Sequence, residues 1–207
     1  MKNAAKHAEK LKSLFRTAMK PGKPEPPPPL EPLQALVRGA MSFDVDDQRA
    51  AAAMDAIQHE FVDLNELRVA TDLEIQALLG PRYPDVEKRV EMITRALNYI
   101  FEKEHTLSLD RLKTLSRRDA RAFMQSVPDL HPFVEAFVML HAFGSHAVPL
   151  DDAMLELLVE SGAVEAGTPL VEAQKFVEHQ LKSGECYDFY ASVRRMALDE
   201  AGAKRRK

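Results

Sequence analysis

One cysteine, Cys186, is all the thiol that this 207-residue chain has. That excludes an intramolecular disulfide framework and any metal site built from cysteines alone. No apolar run approaches the roughly 18 residues that a bilayer-crossing helix needs. The Lys-rich N-terminus lacks the apolar stretch of a secretory signal. These absences point to a cytoplasmic protein without a membrane partner. No segment alternates apolar and polar residues for long enough to make a strand, so no sheet is available to organise a core. What is present suits a different core: 45% of residues are hydrophobic and 29% charged, in a length fit for one large domain or two small ones.

Charge is unevenly placed. Residues 1–23 hold Lys2, Lys6, Lys10, Lys12, Arg16, Lys20 and Lys23 against Glu9 alone, a net of +6. Lys204, Arg205, Arg206 and Lys207 add +4, so with −4 overall residues 24–203 sum to −14. A duplex binder draws much of its affinity from neutralised phosphates, and an acidic body with basic ends is not its usual footprint. The ends read either as solubilising tails or as sequence-independent attraction for phosphate.

Apolar residues recur at helical spacing through most of the chain. Residues 1–20 form a basic amphipathic helix, carried by Ala5, Leu11, Leu14, Phe15 and Met19. Seven of the thirteen prolines follow within residues 21–32, PGKPEPPPPLEP. Proline fixes φ and removes a donor, so this stretch is an extended, semi-rigid linker that tethers the first helix. It also has the composition of a ligand for a proline-reading domain. The main domain is placed over residues 33–203, with 204–207 as a basic tail.

Within that domain the spacing predicts helices over residues 32–41, 46–60, 85–103, 117–126, 132–143, 151–161, 168–182 and 186–200. Thr71 and Glu74 have capping-box spacing, and Ser116 is set to open the helix at 117. The long helix over 85–103 puts Val90, Ile93, Ala96, Leu97, Ile100 and Phe101 on one face. The protein is read as all-α.

The segment from Val127 to Asp152, VPDLHPFVEAFVMLHAFGSHAVPLDD, carries a more specific signal. It is a turn, an apolar helix, a Gly-containing loop and an acidic pair that opens another helix. In layout it resembles the helix-hairpin-helix and Gly-Pro-Asp segment of the endonuclease III superfamily of DNA base-excision enzymes. Val127 to Phe133 fall on that family's hairpin positions, Ala142, Phe143 and Gly144 on its Ala-Phe-Gly, and Leu150 to Ala153 on its later Val-Asp segment. The resemblance spans roughly residues 31 to 165, with layout kept and identity low. It implies a two-lobed all-α fold whose cleft receives an extruded base.

It also implies roles for particular residues. Asp151 falls where the family has the aspartate that assists attack at the sugar and stabilises the cationic transition state. An Asp at a helix start is equally a good N-cap, a role that Asp152 can share. Phe133 occupies the position of the lysine that forms a Schiff base with the sugar. Lyase chemistry is therefore not expected, and activity implies a monofunctional glycosylase using water. Asp129, Leu130 and His131 stand in the turn that contacts a DNA phosphate, with Asp129 and His131 replacing glycines. Both tolerate left-handed backbone better than most residues. Asp129 opposes a phosphate by charge, and a protonated His131 would offset it. Arg117, Arg118 and Arg121 are the nearest cations to that turn in sequence.

Many family members hold an iron–sulfur cluster with four cysteines, which this chain cannot do. No cofactor is expected, and the His131, His141 and His146 spacing makes a poor metal site. Tyr187, Phe189 and Tyr190 read as core packing rather than base-stacking residues, and Glu135 and Glu156 as solvated helix surface. Two functions follow. One is a divergent base-excision-type protein binding damaged double-stranded DNA, with glycosylase activity altered or lost. The other is a non-catalytic all-α scaffold that binds a protein partner through its acidic surface or proline-rich linker. Arginines gathered on the hairpin face discriminate in favour of the first.

Overall fold

The computed structural model describes residues 4–204. Eleven α-helices and no strand occur among them: α1 Ala4–Ala18, α2 Pro32–Ser42, α3 Asp47–Glu60, α4 Leu64–Val69, α5 Asp72–Leu79, α6 Val86–Glu104, α7 Arg117–Ser126, α8 Pro132–His141, α9 Asp152–Glu160, α10 Leu170–Gln180 and α11 Cys186–Lys204. A short 3₁₀ turn, Asp110–Thr114, precedes α7 and had no sequence expectation.

The helices begin where side-chain oxygens can satisfy orphan amides. Asp46, Asp63, Ser116 and Asp151 each accept from an amide of the following turn, and the Thr71–Glu74 capping box forms in both directions. Glu31 caps α2 and Pro32 is its first helical residue, one position inside the expected linker. α8 stops two residues short of its expected end, at His141, where the chain turns toward Gly144.

Two lobes result. In one, α2 lies against α8, α3 and α6, and the α3–α5 pair and α4 pack beside α6. In the other, α9 and α1 pack on the C-terminal helix α11, and α10 packs on α9. α2 and α8 approach closely because Gly39 has no side chain: a Cβ there would meet the Phe137 ring at 3.3 Å. Phe133, Phe137 and Tyr190 form an aromatic chain that joins the lobes through their common core.

Several expectations change in the structure. The N-terminal helix is not a tethered appendage: Leu11, Leu14 and Ala18 are buried against α11, and Phe15 meets Phe189 edge-on. Lys204 is not a free tail residue either. It closes α11 and bridges Glu156 and Glu160 at 2.9 and 2.7 Å, and residues 205–207 lie outside the described chain. Phe101, expected inside, is 36% exposed with the Arg68 guanidinium over its ring. Glu135, expected on the surface, is only 5% exposed. Tyr190 and Phe189 are core residues, as the spacing suggested.

Candidate functional site

The hairpin forms with altered chemistry. α7 ends at Ser126, Asp129 takes left-handed backbone at φ 56°, and Pro132 opens α8. Asp can occupy that region where a bulkier residue would be strained. His131 does not. It is extended and caps α8, its Nδ1 accepting from the Phe133 amide at 3.2 Å. Its ring stacks on Phe43 at 4.4 Å, and burial lowers its pKa below the usual histidine value. An accepting Nδ1 and a lowered pKa both favour neutral imidazole, so His131 does not supply the offsetting positive charge expected of it. Asp129 finds its cation in Arg95, whose Nη1 lies 2.8 Å from the carboxylate. The Asp129 and Leu130 amides donate to no acceptor among the described residues, which leaves them open to an external one.

The cations expected near the turn are elsewhere. Arg121 is held by Glu135 at 2.8 Å and by Glu178 at 2.9 Å, three charges from α7, α8 and α10 in one half-buried network. Its pKa is raised by those two carboxylates against the cost of burial. A guanidinium committed to two internal carboxylates is not a phosphate contact, and the assignment of Arg121 is corrected on that ground. Arg117 and Arg118 are exposed but start α7, while the hairpin follows its end. Ten residues of helix set them about 15 Å from the turn.

Asp151 sits at the start of α9 with no exposed surface. One carboxylate oxygen accepts from the Met154 amide at 3.0 Å and the other from the Asp44 amide at 3.1 Å. Arg194 Nε lies 3.8 Å from the second oxygen, and its Nη groups donate to the Ser42 and Val45 carbonyls and to Asp47. The carboxylate is thus fully satisfied by protein groups, which is the cap geometry. Phe133 is buried in the core and presents nothing to the cleft.

Asp44 is the residue that sequence reasoning missed. Its side chain accepts from the Ala153 amide at 3.0 Å while its own amide donates to Asp151, so both carboxylates cap the start of α9 and tie it to the loop after α2. Arg89, buried to 1% exposure, fixes the same corner by donating to the carbonyls of Ala40, Phe43 and Pro84. Asp44 is only partly buried and faces a cavity of about 460 Å³. That cavity lies between the lobes: Phe43 and Asp44 follow α2, Lys88, Met92 and Arg95 come from α6, Asp129 and His131 from the hairpin, and Asp152 from α9. Burial, and next the charge of Asp151, push the Asp44 carboxyl up to about 6, against the lowering effect of the Ala153 amide.

The cleft also collects left-handed backbone. Of the four non-glycine residues with positive φ among the described residues, Asp44, Asp85 and Asp129 all line it. The α6 stripe was legible in sequence, since positions 88, 91, 92 and 95 share one helix face. Asp44 had no comparable signal: it follows a helix end by two residues and reads as an ordinary loop acid.

No family model matches this sequence, and no curated protein matches it. Solved structures do. A trapped endonuclease III–DNA covalent intermediate superposes with a TM-score of 0.68 at 12% identity, covering 93% of this chain and 85% of that one. The 3-methyladenine DNA glycosylase of H. pylori bound to 1,N6-ethenoadenine gives 0.69 at 12%, covering 94% and 98%. The 8-oxoguanine glycosylase/lyase of Clostridium acetobutylicum in complex with double-stranded DNA gives 0.68 at 14%, covering 96% and 71%. At these identities the likeness establishes the fold. The chain has the all-α, endonuclease III-like fold of these structures.

Proposed function

We propose that this chain is a base-excision-type protein that binds damaged DNA at the cleft between its lobes. The observation that carries the reading is the gathering of Asp44, Asp85 and Asp129, each with left-handed backbone, around one cavity that also receives the hairpin and the α9 start. Sparsely populated backbone conformations of non-glycine residues, held by a rigid surround, concentrate where a fold does something besides fold. On this fold that place is a cleft of a size to admit a nucleotide.

Any base removal is monofunctional. The former lysine position is Phe133, and it is buried away from the cleft. The carboxylate that a bound sugar meets is Asp44, with Asp151 behind it as a positioning residue. In such a step the bond from the sugar carbon to the base breaks, and its electron pair leaves with the base. Water adds to the carbon and passes a proton to Asp44, whose pKa of about 6 suits a base at neutral pH. Two carboxylates close to the developing cation lower its energy.

Binding of the purified chain to an intact duplex and to one with an abasic site tests this. We expect tighter binding to the abasic duplex, and Asp152→Trp, which puts a large ring at an exposed cleft position, should abolish the preference. Equal binding to both duplexes by the unaltered protein would reject the reading. A second reading, a protein-binding scaffold, draws support from the sign of the cleft: Asp44, Asp85, Glu91, Asp129 and Asp152 stand against Lys88 and Arg95. In that case the chain should bind neither duplex even at low salt.

A further inference from the structure

We infer that the groove between α1 and the α10–α11 junction is the surface that grips the DNA phosphate backbone, a role that the hairpin holds in the resembling family. The inference rests on the DNA-binding reading above. That reading leaves a deficit, because the cleft is acidic and Arg121 is bound internally. Phosphate contacts must supply most of the sequence-independent affinity of any DNA binder, so the cations have to lie elsewhere.

They lie along this groove, a cavity of about 800 Å³. Lys12 and Arg16 from α1, Lys20 and Lys23 from the turn after it, and Lys182 from the α10–α11 connection face it. The opposing acids are Glu185 and Asp188. Lys23 pairs with Asp188 at 3.1 Å, and Glu185 accepts from the Lys182 amide at 2.8 Å. Lys12, Arg16, Lys20 and the Lys182 ammonium make no ion pair among the described residues. A net positive groove on a body whose residues 24–203 sum to −14 is the place where a polyanion meets attraction rather than repulsion.

The display is rigid, which separates it from a solubilising tail. Leu11, Leu14 and Ala18 bury one face of α1 on α11, so the opposite face is held in place. Lys12 and Arg16 stand one four-residue step apart on α1, about 6 Å of rise, and Lys20 continues the row from the turn after the helix. Half-buried Phe15 and Met19 lie between them and give the long cationic side chains apolar surface to rest on. A row of unpaired cations suits a repeating anion, and on the DNA-binding reading that anion is the phosphate backbone.

The test uses the full chain and a short duplex, with binding titrated against salt. Four free cations predict a slope of log K against log salt near −4, because each neutralised phosphate contributes about −0.9. The combined variant Lys12→Glu, Arg16→Glu, Lys20→Glu should flatten that slope by about three and weaken binding at low salt. The matching Gln set should fall between, with melting temperature and helix content of both variants unchanged. A slope unaltered in the Glu variant would overturn the groove assignment and leave DNA binding standing. Absence of any binding by the unaltered protein would overturn both. Polyglutamate that binds the unaltered chain more tightly than the duplex would assign the groove to an acidic protein and end the proposal.

Discussion

The cleft and the groove differ in every property but size. Both are open cavities of several hundred Å³. The cleft is where we propose that a nucleotide binds, yet five acids face two cations there, and its left-handed residues are all aspartates. The groove lies against α1, has no left-handed residue in its lining, and reverses the charge with five cations against two acids. Position and electrostatics, which coincide in a simple DNA binder, are separated in this chain. The lesson is that a fold match locates a cleft, whereas the residues around it decide how much affinity it can supply.

The comparison can be broken most severely through the support of the hairpin. Arg121→Ala would leave Glu135 and Glu178, which are 5% and 8% exposed, without their shared cation. Removing one member of a buried ion pair costs about 3–5 kcal/mol, so the melting temperature should drop by roughly 10 °C. The free cations of α1, Lys12 and Arg16, take no part in this network, so salt-dependent binding should persist below the new transition. An unchanged melting temperature would show that the network carries no stability.

A smaller effect is expected at the corner that holds Asp44. Arg89→Met leaves three carbonyls without their donor, at a cost of about 2–3 kcal/mol in thermal or denaturant unfolding. Hydrogen exchange should speed up at Asp44, whose amide is bonded to Asp151, and not in α1. Uniform acceleration in both would contradict a local role.

The third effect depends on pH. The Asp44 carboxyl rises from 3.8 unfolded to about 6 folded, so folding favours its protonated form. That contribution is complete below about pH 4 and is lost as pH rises through about 6. Asp44→Asn keeps the oxygen that accepts from Ala153 and cannot ionise. It should be more stable than the unaltered chain at pH 7–8, and the gap should close toward pH 4. A gap that is constant with pH would refute the raised carboxyl. Smallest of all is Arg95→Ala. Its pairs with Glu91 and Asp129 are solvent-exposed, and stability should move by no more than about 0.5 kcal/mol.

Helix content and most boundaries were legible in sequence because they are local. The α7 limits, Arg117–Ser126, follow from a serine cap and an apolar stripe, and Pro132 marks the first residue of α8 without ambiguity. The left-handed turn at Asp129 followed from residue type and the hairpin resemblance. The site was legible only where neighbours in sequence decide it. The bond from the Asp44 amide to Asp151 joins residues 107 apart, and the Arg121–Glu178 pair spans 57. No periodicity encodes such contacts. Glu135 looked like surface for the same reason, since its burial depends on a cation arriving from another helix. The packing of α1 onto α11 was hidden by its lysines, which mask a buried stripe of Leu11, Leu14 and Ala18.

The division of labour between cleft and groove is tested most directly by one paired binding experiment. Salt slope and abasic preference would be measured together for the unaltered chain, for Asp152→Trp and for the Lys12, Arg16 and Lys20 charge reversal. The account predicts that Asp152→Trp removes the preference and keeps the slope, while the reversal flattens the slope and keeps the preference. Both properties lost together in either variant, or neither lost in either, would contradict it.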